Sequence, residues 1–295
     1  MVKTERRRAA PKALAPLPER RRFPGNRAFV YRTAGQRHGP ITRLVSPGDL
    51  GQLLKPFIFL DLFDAPPDSF GGFGLHPHSG IATLTVLLQG ATRYEDTTGA
   101  TGVLPQGGLE WMQAGGGVWH TGSALPGQHN RGFQLWVALP PELENAPPRS
   151  QYIAPEQIAQ VGPARVLLGQ LGEARSVITP PSPMNYFEVT LAKGEHWRYE
   201  PPEGHSVAWM AVHAGAIEVS ERIAAGELVV FEASGQALQF SAPAGGAFVF
   251  GSAVPHPHEL VSGSYSVHTR RDALQRGEAE IRRIGADLRA QGRLG

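Results

Sequence analysis

Past residue 25 the chain alternates short apolar runs with turn residues. The runs at 56–62, 82–88, 91–95, 109–112 and 132–139, and again at 186–191, 207–213, 216–220, 228–231 and 247–250, are rich in Val, Ile, Thr, Phe and Trp. Gly, Pro, Ser or Asn bounds each of them, which predicts many short, closely spaced strands. Helical spacing is sustained near the C-terminus, where Leu274, Ile281, Ile284 and Leu288 share one stripe behind a capping-box-like start at Thr269 and Asp272. A shorter helix is expected over 155–161.

Two stretches repeat one plan. In the first, a strand ends at Gly90, another starts at Ala91, and a turn at 105–108 leads into the strand 109–112. In the second, the corresponding marks are Gly215, Ala216, a turn at 225–227 and the strand 228–231. Between them lies a proline-dense stretch holding Pro140, Pro141, Pro147, Pro148 and Pro155, which reads as a linker. The expected architecture is all-β, with two tandem antiparallel β-barrels and a C-terminal helix. The expected divisions are a basic tail at 1–25, a first barrel at 26–140, a linker at 141–165, a second barrel at 166–268 and the helix at 269–295.

Composition narrows the chemistry. The 295 residues include no cysteine, so disulfides, thiolate zinc sites, iron–sulfur clusters and cysteine nucleophiles are excluded, and any metal must bind through His, Asp or Glu. No apolar run approaches the roughly 18 residues of a membrane span, and the basic N-terminus lacks the apolar core of a signal peptide, so a soluble, cytoplasmic protein is expected. The net charge of +2 is unevenly placed. The first 22 residues carry eight basic against two acidic side chains, residues 269–295 carry seven arginines against four acids, and the 246 residues between hold −7. A nucleic-acid role is therefore confined to the N-terminal tail.

The clearest constellation is His76-Pro77-His78. Residues i and i+2 of an extended segment project from one face, so two imidazoles converge, and His120, after the glycine run at 114–117, supplies a third from a neighbouring strand. Three neutral imidazoles form a facial set for Fe, Zn, Cu or Ni with open positions. A second pair, His256-Pro257-His258, has no third histidine at the equivalent place. Counting from the strand-terminal glycines puts Pro201 and Glu203 where His76 and His78 lie, and counting from Leu228 puts Gln239 in place of His120. Trp111, Met112, Trp136 and Trp209 read as core or barrel lining. His129, His196, His205 and His213 lack partners at ligand spacing, and Gly115 to Gly117 read as a tight turn.

These residues resemble the pirin family of the cupin superfamily. The matching pieces are PFIFLDLF from Pro56, HPHSG from His76, TLTVLLQG from Thr83, EWMQAGGGVWH from Glu110, GFQLWVALP from Gly132 and VSGSYSVHTRRD from Val261. The resemblance implies a bicupin (two double-stranded β-helix domains) whose N-terminal barrel holds one metal through three histidines and a glutamate. His76, His78 and His120 match the histidines. Gly122 stands where the glutamate would fall, Ala82 at the other cupin carboxylate position, Ser79 at a frequent arginine and Tyr94 at a frequent histidine. The implied cofactor is a divalent metal, Fe(II) foremost, with Zn, Mn, Cu and Ni as alternatives, and the loss of the carboxylate leaves an empty site as a further alternative. The implied activity is that of a quercetin 2,3-dioxygenase-like oxidoreductase acting on a flavonol-like small aromatic substrate. The other reading is a non-enzymatic, metal- or redox-dependent module that binds a protein partner. Glu110 is a candidate polar catalytic partner, although its place on a strand reads more simply as solvent-facing.

Overall fold

The computed structural model describes residues 27–69 and 71–294, so the basic tail lies outside the described residues. In chain order come β1 (Phe29–Thr33), β2 (Gln36–His38), β3 (Ile41–Val45), the one-turn helix α1 (Leu50–Leu53), β4 (Phe57–Ala65), β5 (Phe73–His78) and β6 (Ile81–Gln89). There follow β7 (Thr92–Asp96), β8 (Thr101–Leu104), β9 (Leu109–Gln113), β10 (Val118–Ala124), β11 (Asn130–Ala138) and β12 (Arg149–Ile153). Two antiparallel sheets, β12-β9-β6-β11-β4-β3-β2 and β5-β10-β7-β8, make the walls of the first barrel.

The chain continues through β13 (Gln160–Val161), β14 (Ala164–Leu168), β15 (Gln170–Leu171), β16 (Ala174–Arg175), β17 (Met184–Leu191), β18 (Glu195–Tyr199) and β19 (Val207–Glu218). Then come β20 (Arg222–Ala224), β21 (Leu228–Phe231), β22 (Leu238–Ala242), β23 (Gly246–Ala253), β24 (Val261–Ser262), β25 (Val267–His268) and the long helix α2 (Arg271–Ala290). One large sheet runs β1-β21-β19-β23-β17-β14-β13, with β18 and β22 paired across the second barrel and β20 paired on β19. The architecture is the expected all-β bicupin with a C-terminal helix.

The central strands read as near-continuous apolar runs because both of their faces are buried. In β6, Ala82, Leu84 and Val86 point into a hydrophobic core shared with Trp209, Ala211 and Val249 of the second barrel, while Thr83, Thr85 and Leu87 take the opposite face. In β11, Phe133, Leu135 and Val137 face that shared core, and Gln134 and Trp136 turn the other way. One period-2 pattern thus sets both the contact between barrels and the lining of the first barrel. Trp111 and Trp209 lie in the shared core and Met112 packs with Val118, as expected of lining residues.

Several expectations need correction. The helix expected at 155–161 is a single 3-10 turn at Pro155–Gln157 followed by β13, because Gln160 and Val161 pair with β14 across the tight turn at Gly162 and Pro163. The stretch read as a linker at 141–165 contains β12, which pairs residue for residue with β9 from Arg149 to Ile153. Its prolines lie outside that strand, so the ladder is unbroken. Residues Phe29–Thr33, grouped by sequence with the first barrel, pair with β21 of the second. Helix α2 starts at Arg271 after Arg270 as cap, because the Thr269 hydroxyl donates to Glu144 instead of capping the helix.

Helix α2 packs on the first barrel. Trp119 Nε1 donates to the carbonyl of Ile281 at 2.8 Å, and Gly285 lies so close that a Cβ there would stand 2.8 Å from the indole. A mid-helix glycine costs about 1 kcal/mol relative to alanine. Here it allows the close approach.

Candidate metal centre

Strands β5 and β10 pair antiparallel with His76 opposite His120 and Val118 opposite His78. This register brings three imidazoles together. Ring centroids are 5.0 Å apart for His76 and His78, 4.4 Å for His76 and His120, and 5.2 Å for His78 and His120. One nitrogen from each ring lies within 4.8 Å of the others, and among the described residues this is the one His, Asp and Glu group so arranged. His256 and His258 adjoin, with centroids 5.4 Å apart, but gather no third ligand among the described residues.

The second nitrogen of each ring is occupied by an acceptor. His76 Nδ1 lies 2.7 Å from the Gly74 carbonyl, His78 Nδ1 lies 3.2 Å from the Tyr265 carbonyl, and His120 Nδ1 lies 3.0 Å from Glu110 Oε1. An Nδ1 facing an acceptor carries the proton, so each Nε2 keeps its lone pair. His120 Nε2 is buried and has no hydrogen-bond partner among the described residues. An orphaned buried nitrogen costs free energy unless something ligates it, so this donor set fits a metal ion.

Electrostatics agrees with the geometry. Burial first, and then the nearness of the His120 ring, lowers His76 to about 4, and burial holds His78 well below the ordinary imidazole value, so both rings are neutral at pH 7. For Glu110, burial alone would raise the value, but the hydrogen bonds from His120 and the Thr85 hydroxyl outweigh it and hold the carboxyl below its usual range. The solvent-facing reading of Glu110 is therefore overturned: the residue is 8% exposed and faces inward, in alternation with Leu109 and Trp111. As an inward carboxylate it orients His120 from behind instead of entering the cluster.

Beside the histidines is a narrow, half-open pocket with a water-accessible volume of about 50 Å³. Phe63, Phe73, Ala65 and Ala124 give it apolar walls; Thr85, Glu110, Asn130 and Gln134 give it polar points, and His76, His120 and Gly122 complete its floor. Gly122 follows His120 by two residues and lines the same pocket; a Cβ there would press on the Thr92 methyl at 3.3 Å, so a side chain fits only if Thr92 shifts by a few tenths of an ångström. Ala82, the other carboxylate position, faces the shared core. Trp136 stands edge-on to His78 with centroids 4.9 Å apart.

Three neighbours escaped the sequence reading. Thr85 donates to Glu110 at 2.8 Å, Gln134 lies 3.2 Å from the same hydroxyl, and the Tyr265 carbonyl comes from a distant segment. Thr85 and Gln134 had a signal, a polar side chain at an inward position of an apolar strand. The carbonyl had none.

The pirin sequence profile matches residues 40–137. A pirin-like protein of Caulobacter vibrioides is 36% identical over 192 residues, covering 61% of this chain and 68% of its own. The chain belongs to the pirin family. Among solved structures, this pirin is similar to a quercetin 2,3-dioxygenase of Acinetobacter baumannii, with 26% identity and a TM-score of 0.80 over 88% of this chain and 97% of that one. A bacterial pirin from Escherichia coli in complex with nickel(II) shares the fold at 19% identity, with a TM-score of 0.61 over 78% of this chain and 96% of its own. No helix among the described residues is long and apolar enough to cross a membrane.

Proposed function

We propose that this pirin is a metal-dependent dioxygenase of the quercetinase kind, acting on flavonol-like aromatic substrates at the His76, His78 and His120 cluster. The observation that carries the reading is the set of three imidazoles, each with Nδ1 committed to an acceptor and Nε2 turned free, beside a largely apolar pocket. The likeness to a quercetin 2,3-dioxygenase supports the substrate class. Iron(II) is the proposed metal, with zinc, manganese, copper and nickel compatible with the same nitrogen donors. A divalent ion held there supplies Lewis-acid chemistry and open positions for an anionic oxygen donor.

The chain's own residues do the rest. Phe63 and Phe73 offer apolar faces to a planar ring, and Asn130 and Gln134 offer polar contacts that orient its oxygens. Glu110 has two tasks in this reading. It holds His120 in the tautomer that leaves Nε2 free, and it is the pocket's ionised carboxylate, able to take up the proton of a bound hydroxyl. Its negative charge behind His120 also partly replaces the glutamate missing at Gly122.

The test is anaerobic loading with Fe(II), followed by addition of a flavonol and dioxygen. Turnover by the parent and none by His78→Ala is expected. No turnover by the loaded parent, or equal turnover by the variant, sinks the proposal.

A further inference from the structure

The back of the metal-ligand strands is covered by the C-terminal segment, and its contacts converge on His78. The Tyr265 carbonyl lies on His78 Nδ1 at 3.2 Å. The residues that follow on each segment are joined as well: Ser79 Oγ donates to Ser266 Oγ at 2.7 Å, and Val267 N–H donates to the Ser79 carbonyl at 3.2 Å. The chain of polar groups continues inward. Ser79 Oγ lies 3.0 Å from His268 Nε2, His268 Nδ1 faces the Glu144 carboxylate at 3.5 Å, and that carboxylate accepts the Thr269 hydroxyl at 2.9 Å.

The set looks like a serine nucleophile with its base and acid, but Ser79 is 0% exposed and Ser266, His268 and Glu144 are each 1% exposed. No substrate reaches it. Buried hydroxyls are costly when unpaired, so the Ser79–Ser266 bond is kept only while the C-terminal segment is docked. Helix α2 is fitted to the same point. A Cβ at Gly277 would collide with Ser79 Oγ and stand 2.7 Å from His268 Nε2.

We infer that Ser79, Ser266 and His268 are positioning residues for His78. They hold the Tyr265 carbonyl against Nδ1 and so keep Nε2 turned into the histidine cluster. The inference rests on the metal-centre reading above. His76 is an internal control, because its Nδ1 partner, the Gly74 carbonyl, lies on its own strand.

The experiment compares the full chain with Ser79→Ala and Gly277→Ala in two readouts. Imidazole ¹H–¹⁵N spectra of metal-free protein report each tautomer, and a Co(II) titration reports affinity and the ligand-field absorption of the bound ion. The parent is expected to show His76 and His78 with the proton on Nδ1. Both variants should shift His78 to a mixed population, leave His76 unchanged, and weaken Co(II) binding about tenfold. An unchanged His78 tautomer in Ser79→Ala, or a parent His78 protonated on Nε2, overturns the inference. Ser79→Ala adds no volume, so it decides the matter should Gly277→Ala fail to fold. Failure of the parent to bind Co(II) sinks the metal-dependent function, while the metal-free spectra still decide this inference. Normal Co(II) binding without flavonol turnover sinks only the proposed substrate.

Discussion

The two barrels place different side chains on the same hydrogen-bonded frame. In the first, β5 pairs with β10 and sets His76 opposite His120; in the second, β18 pairs with β22 and sets Trp197 opposite Phe240. The sheet orders make these pairs counterparts. Where the first barrel gathers imidazoles around a pocket, the second is filled by rings: Trp197 and Phe240 stack at 5.3 Å, Phe240 and Phe248 at 5.0 Å, and Tyr199 meets Phe250 edge-on at 4.8 Å. Backbone topology therefore supplies a container, and the inward residues of a few strands decide whether it holds a site or a core. The second barrel also shields the first, because the outer faces of β6, β9 and β11 are buried against it.

That division of labour can be broken from either side. The largest expected effect is His78→Ala, which should remove stoichiometric metal from protein purified without a histidine tag, while His256→Ala leaves the metal content intact; elemental analysis of both checks it. Next, Phe250→Ala in the second barrel should cost about 3–5 kcal/mol in urea denaturation and leave the metal content of the folded protein unchanged. Loss of metal in that variant would show that the second barrel is more than a support.

Smaller effects sharpen the account of the first barrel. Glu110→Ala should weaken metal binding by about 10- to 100-fold in a competition titration, since it frees the His120 ring and removes the nearest negative charge. Gly122→Glu should tighten it by about tenfold, because it adds a carboxylate to the pocket lining two residues from His120, with only the Thr92 methyl to shift aside. An unchanged affinity would mean that this side of the pocket does not face the ion.

The smallest effect near neutral pH concerns His213 of β19. It is 7% exposed and, among the described residues, neither ring nitrogen has a hydrogen-bond partner. Burial first, and then the Arg131 guanidinium, lowers it to about 3. Below about pH 6.5 the unfolded chain takes up a proton that the folded chain refuses, so stability is lost as pH falls from there toward 3, by at most about 1.4 kcal/mol per pH unit for this one group. His213→Phe should remove that share of the slope in pH-dependent melting, and an unchanged slope would locate the acid sensitivity elsewhere.

Much of the fold was legible in short apolar runs and turn residues, because strand alternation and glycine punctuation are local properties. The second barrel shows where counting fails. Fixed offsets from Gly215 and Leu228 point to Pro201, Glu203 and Gln239, whereas strand pairing points to Trp197, Tyr199 and Phe240. Connections differ in length between the barrels, and a one-residue slip exchanges the inward face for the outward one. The stretch at 141–165 misled for a related reason: proline density marks bends, but the pairing of Arg149–Ile153 depends on the edge of β9, far away in sequence.

The sequence by itself determined the donor set. His76 and His78 share a face because they are two residues apart on an extended segment, the lack of cysteine leaves only nitrogen and oxygen ligands, and Gly122 removes the expected carboxylate. Only the tertiary structure decided what surrounds those donors. The inward turn of Glu110 follows from the register of β9 against β6, and the hold on His78 comes from Tyr265, brought across 187 residues by the docking of the C-terminal segment. Spacing along one strand is fixed by covalent geometry, whereas the partner of each ring nitrogen is fixed by packing between segments that share no local signal.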